Sequence, residues 1–107
     1  MRRGDLVTVS LQGDYGKPRP ALVVQSDLLD DLESVIVCPI TSDIRHAGAF
    51  RVLLEPGLGN GLRLISQVMV DKPMTVPRTK VGAPFGHLDA HAMKAVERAV
   101  LVVMGLA

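Results

Sequence analysis

The chain reads as a mostly β domain, a small curled sheet or barrel closed on one side by a single C-terminal helix. Short apolar runs rich in Val and Ile, bounded by Gly, Pro, Ser and Asp, recur from residue 6 to residue 81, the pattern of strands joined by tight loops. Only the last stretch, from Asp89 to Gly105, changes to a helical period of about 3.6 residues. Aromatic residues make up 3% of a chain that is 48% hydrophobic, so Val, Leu, Ile, Ala and Met must fill the core.

Leu6 to Leu11 alternates, with Val7, Val9 and Leu11 on one face and Thr8 and Ser10 on the other, which predicts a half-buried strand. Gln12 to Gly16 is a glycine-bearing loop that carries the only tyrosine, Tyr15. Lys17-Pro18-Arg19-Pro20 then sets an arginine between two prolines, directly ahead of a second strand over Ala21 to Gln25. Proline fixes its own φ and biases the preceding residue toward extended geometry, so Arg19 is held stiffly at the mouth of that strand. An arginine held so is pre-organised to grip an anion; the bland alternative is a solvated loop arginine.

Val35 to Ile40 is a third, nearly continuous apolar run that suits a central strand. Pro39 cannot donate to a ladder, so the strand should end or bulge there and Thr41 and Ser42 should emerge at a rim. Phe50 to Leu54 and Leu64 to Val70 form a fourth and a fifth strand, around a turn-rich loop with Gly57, Gly59 and Gly61. Met74 to Val81, broken by Pro77, adds a short edge strand. Asp89 is placed to cap the helix, Met93, Val96, Val100, Val103 and Met104 share its apolar face, and Gly105 stops it.

With 107 residues the whole chain, 1–107, makes one domain with a modest core. A mean hydropathy of +0.29 is high for so small a chain, and the apolar excess predicts a homodimer. No run approaches the roughly 18 apolar residues of a membrane span, and Met1-Arg2-Arg3 leads into a strand rather than a signal-type segment; a cytoplasmic protein is expected. The lone Cys38 reads as a buried structural thiol. Net charge is +1, but Asp27, Asp30, Asp31 and Glu33 form an acidic segment while Arg45, Arg51, Arg63, Lys72, Arg78 and Lys80 dominate the middle, an asymmetry open to a polyanion.

No phosphate-cradling GxxxxGK[ST] loop and no CxxC pair is present. His46, His87 and His91 lack the cysteines or carboxylates of a metal site, so no metal and no cofactor are expected. What remains is a set of polar groups at strand ends: Arg19, Thr41, Ser42, Ser66 and Asp71. An arginine beside hydroxyls suits a phosphate. Turn capping by Thr41 and Ser42 and a surface pair between Asp71 and Lys72 are the plainer readings.

Arg3-Gly4-Asp5-Leu6-Val7, Arg19-Pro20-Ala21-Leu22-Val23, Val37-Cys38-Pro39-Ile40-Thr41-Ser42, Ser66 to Asp71 and the closing Leu88-Asp89 helix together resemble the MazF/PemK toxins of bacterial toxin–antitoxin pairs, in the same order over nearly the whole chain. The resemblance implies an SH3-like barrel with a C-terminal helix, assembled as a homodimer. It implies a metal-independent endoribonuclease that cuts single-stranded RNA by attack of the substrate's 2′-OH on the adjacent phosphate, and that is silenced by an antitoxin peptide. By position, Arg19 takes the catalytic arginine role, Thr41 the threonine that positions the phosphate, and Asp71 an acidic position some members use near the scissile site. Lys17, Tyr15, Ser42, Ser66 and Arg45 are the expected RNA contacts. Two departures stand out. Met69 occupies a position where some members place an arginine, and the Gln12 to Lys17 loop is shorter than the family's usual one. The same fold hosts CcdB-type toxins that poison DNA gyrase without chemistry; their Trp-Gly-Ile tail is absent here, and Arg19-Pro20 favours the nuclease.

Overall fold

A computed structural model describes residues 1–11, 17–46 and 50–107. Among them the strands are β1 (Asp5–Val9), β2 (Arg19–Val23), β3 (Ser34–Thr41), β4 (Arg51–Leu54), β5 (Ser66–Met69), β6 (Met74–Pro77) and β7 (Gly86–His87), followed by α1 (Ala90–Val103). The sheet runs β4-β5-β3-β2-β1-β7, and β6 pairs with β3 off that path. An isolated bridge between Val9 and Val81, with Gly82 N–H donating to Thr8 C=O at 2.8 Å, returns the chain after β6 to β1. The strands β1, β2, β3 and β6 thus curl into a small barrel. Gly82 permits that closure, since a Cβ there would stand 2.5 Å from Thr8 Oγ1.

This curl makes two cores. Val7, Val9, Ala21, Val23, Val35, Val37 and Val76 fill the barrel's inside. Leu6, Leu22, Cys38, Ile40, Val68 and Leu88 point the other way and pack against Met93, Val96 and Ala99 of α1. The alternation read for β1 therefore describes only half of its burial: Leu6 is as inaccessible as Val7, because the helix covers the face that one-sided patterning assigns to water. β1 also ends at Val9, short of Leu11.

Pro39 does not end its strand. The C=O of Ile36 accepts from Val24 N–H and Gln25 N–H, so even-numbered residues of β3 turn their backbone groups toward β2 and odd-numbered ones toward β5 and β6. Pro39 lacks its N–H on that second side, and there the partner bulges away: between the pairs Ile40↔Val68 and Val37↔Met74, two residues of β3 face five of the other chain segment. The missing donor is accommodated by a bulge in the neighbour, and β3 runs on to Thr41.

Helix α1 begins as expected, with Asp89 accepting from Ala92 N–H at 2.8 Å. It closes with Leu106 N–H to Leu101 C=O, Gly105 N–H to Val102 C=O and Gly105 at φ +75°, a Schellman cap. Met104 lies outside the helix and is exposed, contrary to its place on the expected apolar face. The sequence pattern also misses β7. There the backbone passes so near Asn60 that a Cβ on Gly86 would stand 2.1 Å from the Asn60 carbonyl oxygen. Beside it His87 Nδ1 donates to Asp5 Oδ1 at 2.7 Å, and Asp5 Oδ2 accepts from Arg2 N–H at 2.7 Å.

Candidate active site

Arg19 is the first residue of β2 rather than a loop residue ahead of it. It pairs with Val9, as Ala21 pairs with Val7; Val9 and Ala21 face the barrel's inside, so Arg19 stands on that face at the barrel's end. The β2–β3 ladder stops at Ala21↔Pro39, where the next residue of β2, Pro20, has no N–H to offer β3. Arg19 and Thr41 each lie two residues beyond that last pair, on the face that Val9 and Ala21 share. Thr41 in turn pairs with Gln67, and Gln67 with Leu53. Thr41 and Gln67 therefore share a row at the barrel's mouth, and Arg19 stands on the same face at the same end.

The Thr41 Oγ1 accepts from Asp43 N–H at 3.1 Å. This is the turn capping that the hydroxyl suits, and it uses an acceptor site only. The hydroxyl proton is left to be donated outward, toward an anion on the half-exposed side of Thr41. Ser42, Asp43, Ile44, Arg45 and His46 follow as an exposed loop. Within it Arg45 donates from Nε and Nη2 to Asp43 Oδ2 at 3.1 and 2.9 Å, a solvated pair of small energetic weight.

Gln67 is the residue that sequence reasoning missed. It is 7% exposed, and its amide makes three hydrogen bonds. Oε1 accepts from Arg45 N–H at 3.0 Å and from Arg51 Nη1 at 3.3 Å, while Nε2 donates to Arg45 C=O at 2.8 Å. Arg51 Nη1 also reaches Asp43 C=O at 3.4 Å. The available signal was a glutamine inside an otherwise apolar strand, where a buried amide must find partners.

The other expected contacts differ in placement. Lys17 is exposed just ahead of β2, and Tyr15 lies outside the described residues. Ser66 is on the opposite face of β5 from Gln67: it is buried, and its hydroxyl donates to Leu64 C=O at 2.9 Å. Asp71 sits in the bulge beyond β5, paired with Lys72 Nζ at 3.6 Å. Burial, with the charge of Asp71 adding to it, pushes the Cys38 thiol up to about 11, so Cys38 is an inert core thiol rather than a nucleophile. Among the described residues no three His, Cys, Asp or Glu side chains come together to hold a metal ion, and no helix is long and apolar enough to cross a membrane.

An arginine and a threonine on one face of the barrel's mouth, with Arg45 and Arg51 near Thr41, make an end of the barrel suited to a phosphodiester. A family model described as the PemK-like, MazF-like toxin of type II toxin–antitoxin systems matches residues 2–104. The probable endoribonuclease MazF of Mycolicibacterium smegmatis is 42% identical over 108 residues, spanning 100% of this chain and 99% of the relative. Among solved structures, the Mycobacterium tuberculosis toxin MazF-mt6 matches with a TM-score of 0.82 at 28% identity, over 96% of this chain and 98% of that one. An endoribonuclease from a mycobacterial species, solved in complex with its cognate antitoxin, gives 0.83 at 19% identity over 100% and 97%, a likeness of fold. The match runs to the nuclease toxins, and the gyrase-binding alternative is not carried forward.

Proposed function

We propose that this chain, which belongs to the PemK-like, MazF-like toxins of type II toxin–antitoxin systems, is an endoribonuclease that cuts single-stranded RNA by driving the substrate's own 2′-OH onto the adjacent phosphate. The endoribonuclease class follows the 42% identical relative; the mechanism is our reading. The observation that carries it is the placement of Arg19 and Thr41 on one face at the barrel's mouth, each two residues beyond the last β2–β3 pair.

The reaction forms a bond from O2′ to phosphorus as the 2′-OH proton passes to solvent, and breaks the bond from phosphorus to O5′, giving a 2′,3′-cyclic phosphate and, once the leaving oxygen takes up a proton from solvent, a 5′-hydroxyl. Charge gathers on the non-bridging oxygens of the crowded phosphorane. Arg19 meets that charge with its guanidinium, and Thr41 donates a hydroxyl hydrogen bond to a phosphate oxygen. Donors fixed in advance of the reaction stabilise the transition state without reorganising. The chemistry uses no protein nucleophile, metal or cofactor.

Arg45, Lys17 and Ser42 are exposed around that end and supply contacts to flanking phosphates and bases. Asp71 enters on family resemblance alone, and its carboxylate is occupied by Lys72 beyond the bulge. We therefore assign the phosphate chemistry to Arg19 and Thr41 and leave Asp71 outside it. The partners follow the same reading. An antitoxin peptide is taken to cover the RNA face; a mycobacterial endoribonuclease of this fold is solved in complex with its cognate antitoxin, and a Deinococcus radiodurans one as MazE–MazF. A second copy of the chain covers exposed apolar residues such as Ile36, Leu101 and Met104. The cytoplasm, where mRNA is met, is the expected compartment.

The test is a mixed-sequence single-stranded RNA incubated with the protein in EDTA, followed by chemical analysis of the ends. Cleavage leaving cyclic phosphates is expected, as is complete protection of a substrate carrying one 2′-deoxy nucleotide at the cut position. Cutting of the deoxy-substituted substrate would overturn the mechanism.

A further inference from the structure

The loop that follows Thr41 leaves β3 and comes back to the very residue that Thr41 pairs with. Thr41 lies opposite Gln67 in the β3–β5 register. Four residues later, the peptide groups on both sides of Arg45 are taken by the Gln67 side chain, N–H to Oε1 at 3.0 Å and C=O from Nε2 at 2.8 Å. Donor and acceptor on one planar amide bond one residue as a neighbouring strand would, so the loop is closed at a single row. Arg51 ties the same loop from behind, reaching Asp43 C=O at 3.4 Å and the shared Oε1 at 3.3 Å. Asp43 N–H completes the circuit on Thr41 Oγ1 at 3.1 Å.

We propose that Gln67, backed by Arg51, is the positioning residue of the RNA-cleaving site: it clamps the Ser42–His46 loop so that Asp43 N–H holds the Thr41 hydroxyl in the rotamer that donates to the scissile phosphate. The inference rests on the reading of Thr41 above. Gln67 itself touches no substrate. It is 7% exposed, and the three hydrogen bonds of its amide go to Arg45 and Arg51. Its effect passes through the orientation of the loop and of Thr41. Without the clamp, the contacts left to the loop among the described residues are the solvated Arg45–Asp43 pair, the Arg51 contact to Asp43 C=O and the Asp43 N–H bond to Thr41 itself, and the Thr41 rotamer is free to change. Misplacing a catalytic contact by about 1 Å is enough for a roughly hundredfold loss of rate.

The experiment compares Gln67→Met, which keeps length and apolar bulk but removes every hydrogen bond, with Thr41→Ala and the double variant. Single-turnover cleavage of one RNA is measured alongside hydrogen exchange of the Arg45 amide. Gln67→Met is expected to expose the Arg45 amide to rapid exchange and lower kcat about a hundredfold, with KM changed less than threefold. The double variant should cut no more slowly than Thr41→Ala alone, because both changes remove the same contact. Should Gln67→Met not fold, Gln67→Glu keeps the acceptor for Arg45 N–H and loses only the donor to Arg45 C=O. It should then keep the Arg45 amide protected and slow cleavage to a rate between wild type and Thr41→Ala. Losses that multiply in the double variant, or wild-type kcat with a loosened loop, overturn the positioning role while leaving the assignment of Thr41 intact. Wild-type cleavage by Thr41→Ala overturns both.

Discussion

The two ends of the sheet use the same device for different ends. At one, the half-buried pair of Asp5 and His87 joins β1 to the two-residue strand β7, and the second oxygen of Asp5 takes Arg2 N–H. At the other, Gln67 joins β5 to the loop after Thr41. Each is an inaccessible polar side chain that satisfies a backbone group. The first holds an edge strand and the start of α1 in place, so its loss is a loss of stability. The second holds an exposed loop beside a proposed phosphate site, so its loss falls on chemistry. The contrast is between a polar contact that fixes the scaffold and one that fixes a reacting group.

The comparison is sharpest where stability and activity separate. Leu22 is fully buried between β2 and α1, and Leu22→Ala should cost about 2–5 kcal/mol of unfolding free energy. Urea titration is expected to show that loss, with cleavage per folded molecule unchanged. At the Asp5 end the effect is smaller. Burial pushes the Asp5 carboxyl up, but the hydrogen bonds from His87 and Arg2 N–H and the charges of His87 and the N-terminus outweigh it, holding the carboxyl below its ordinary 3.8. A depressed carboxylate contributes stability that is present above 3.8 and is lost as pH falls through the lower folded value. Asp5→Asn should therefore cost about 1–2 kcal/mol at pH 7. It should also flatten the part of the acid-unfolding curve below pH 4, read by circular dichroism. The smallest effect is expected at Asp71: Asp71→Asn should keep cleavage within about threefold of wild type. A hundredfold fall would make that carboxylate a proton acceptor and place it in the site after all.

How much was legible in advance follows from where the partners lie along the chain. Arg19 and Thr41 were readable because prolines mark both: Pro20 lacks the N–H that would extend the β2–β3 ladder past Ala21↔Pro39, Pro39 lacks the one that would face β5 and β6, and the polar residues emerge just beyond them. Asp89 and Gly105 gave both helix ends, since caps are local. Gln67 was not readable, because its partner Arg45 is 22 residues away and nothing in the neighbourhood of either residue points to the other. β7 was hidden for the same reason: Gly86 is required by Asn60, a contact between loops. One-sided burial of β1 failed because alternation reports one covered face and says nothing of a helix laid over the other. Ser66 looked like a rim hydroxyl by its place near the strand start, yet one residue of register puts it on the helix side.

The central claim is that a guanidinium fixed at the barrel's mouth carries the charge of the phosphorane, and the rate of RNA cleavage by Arg19→Ala tests it most directly. Loss of a charged donor at a developing oxyanion is worth about 3 kcal/mol, so a fall of at least a hundredfold in kcat is predicted, with an unfolding curve that overlays wild type. A folded Arg19→Ala protein that cuts RNA at the wild-type rate would contradict the account.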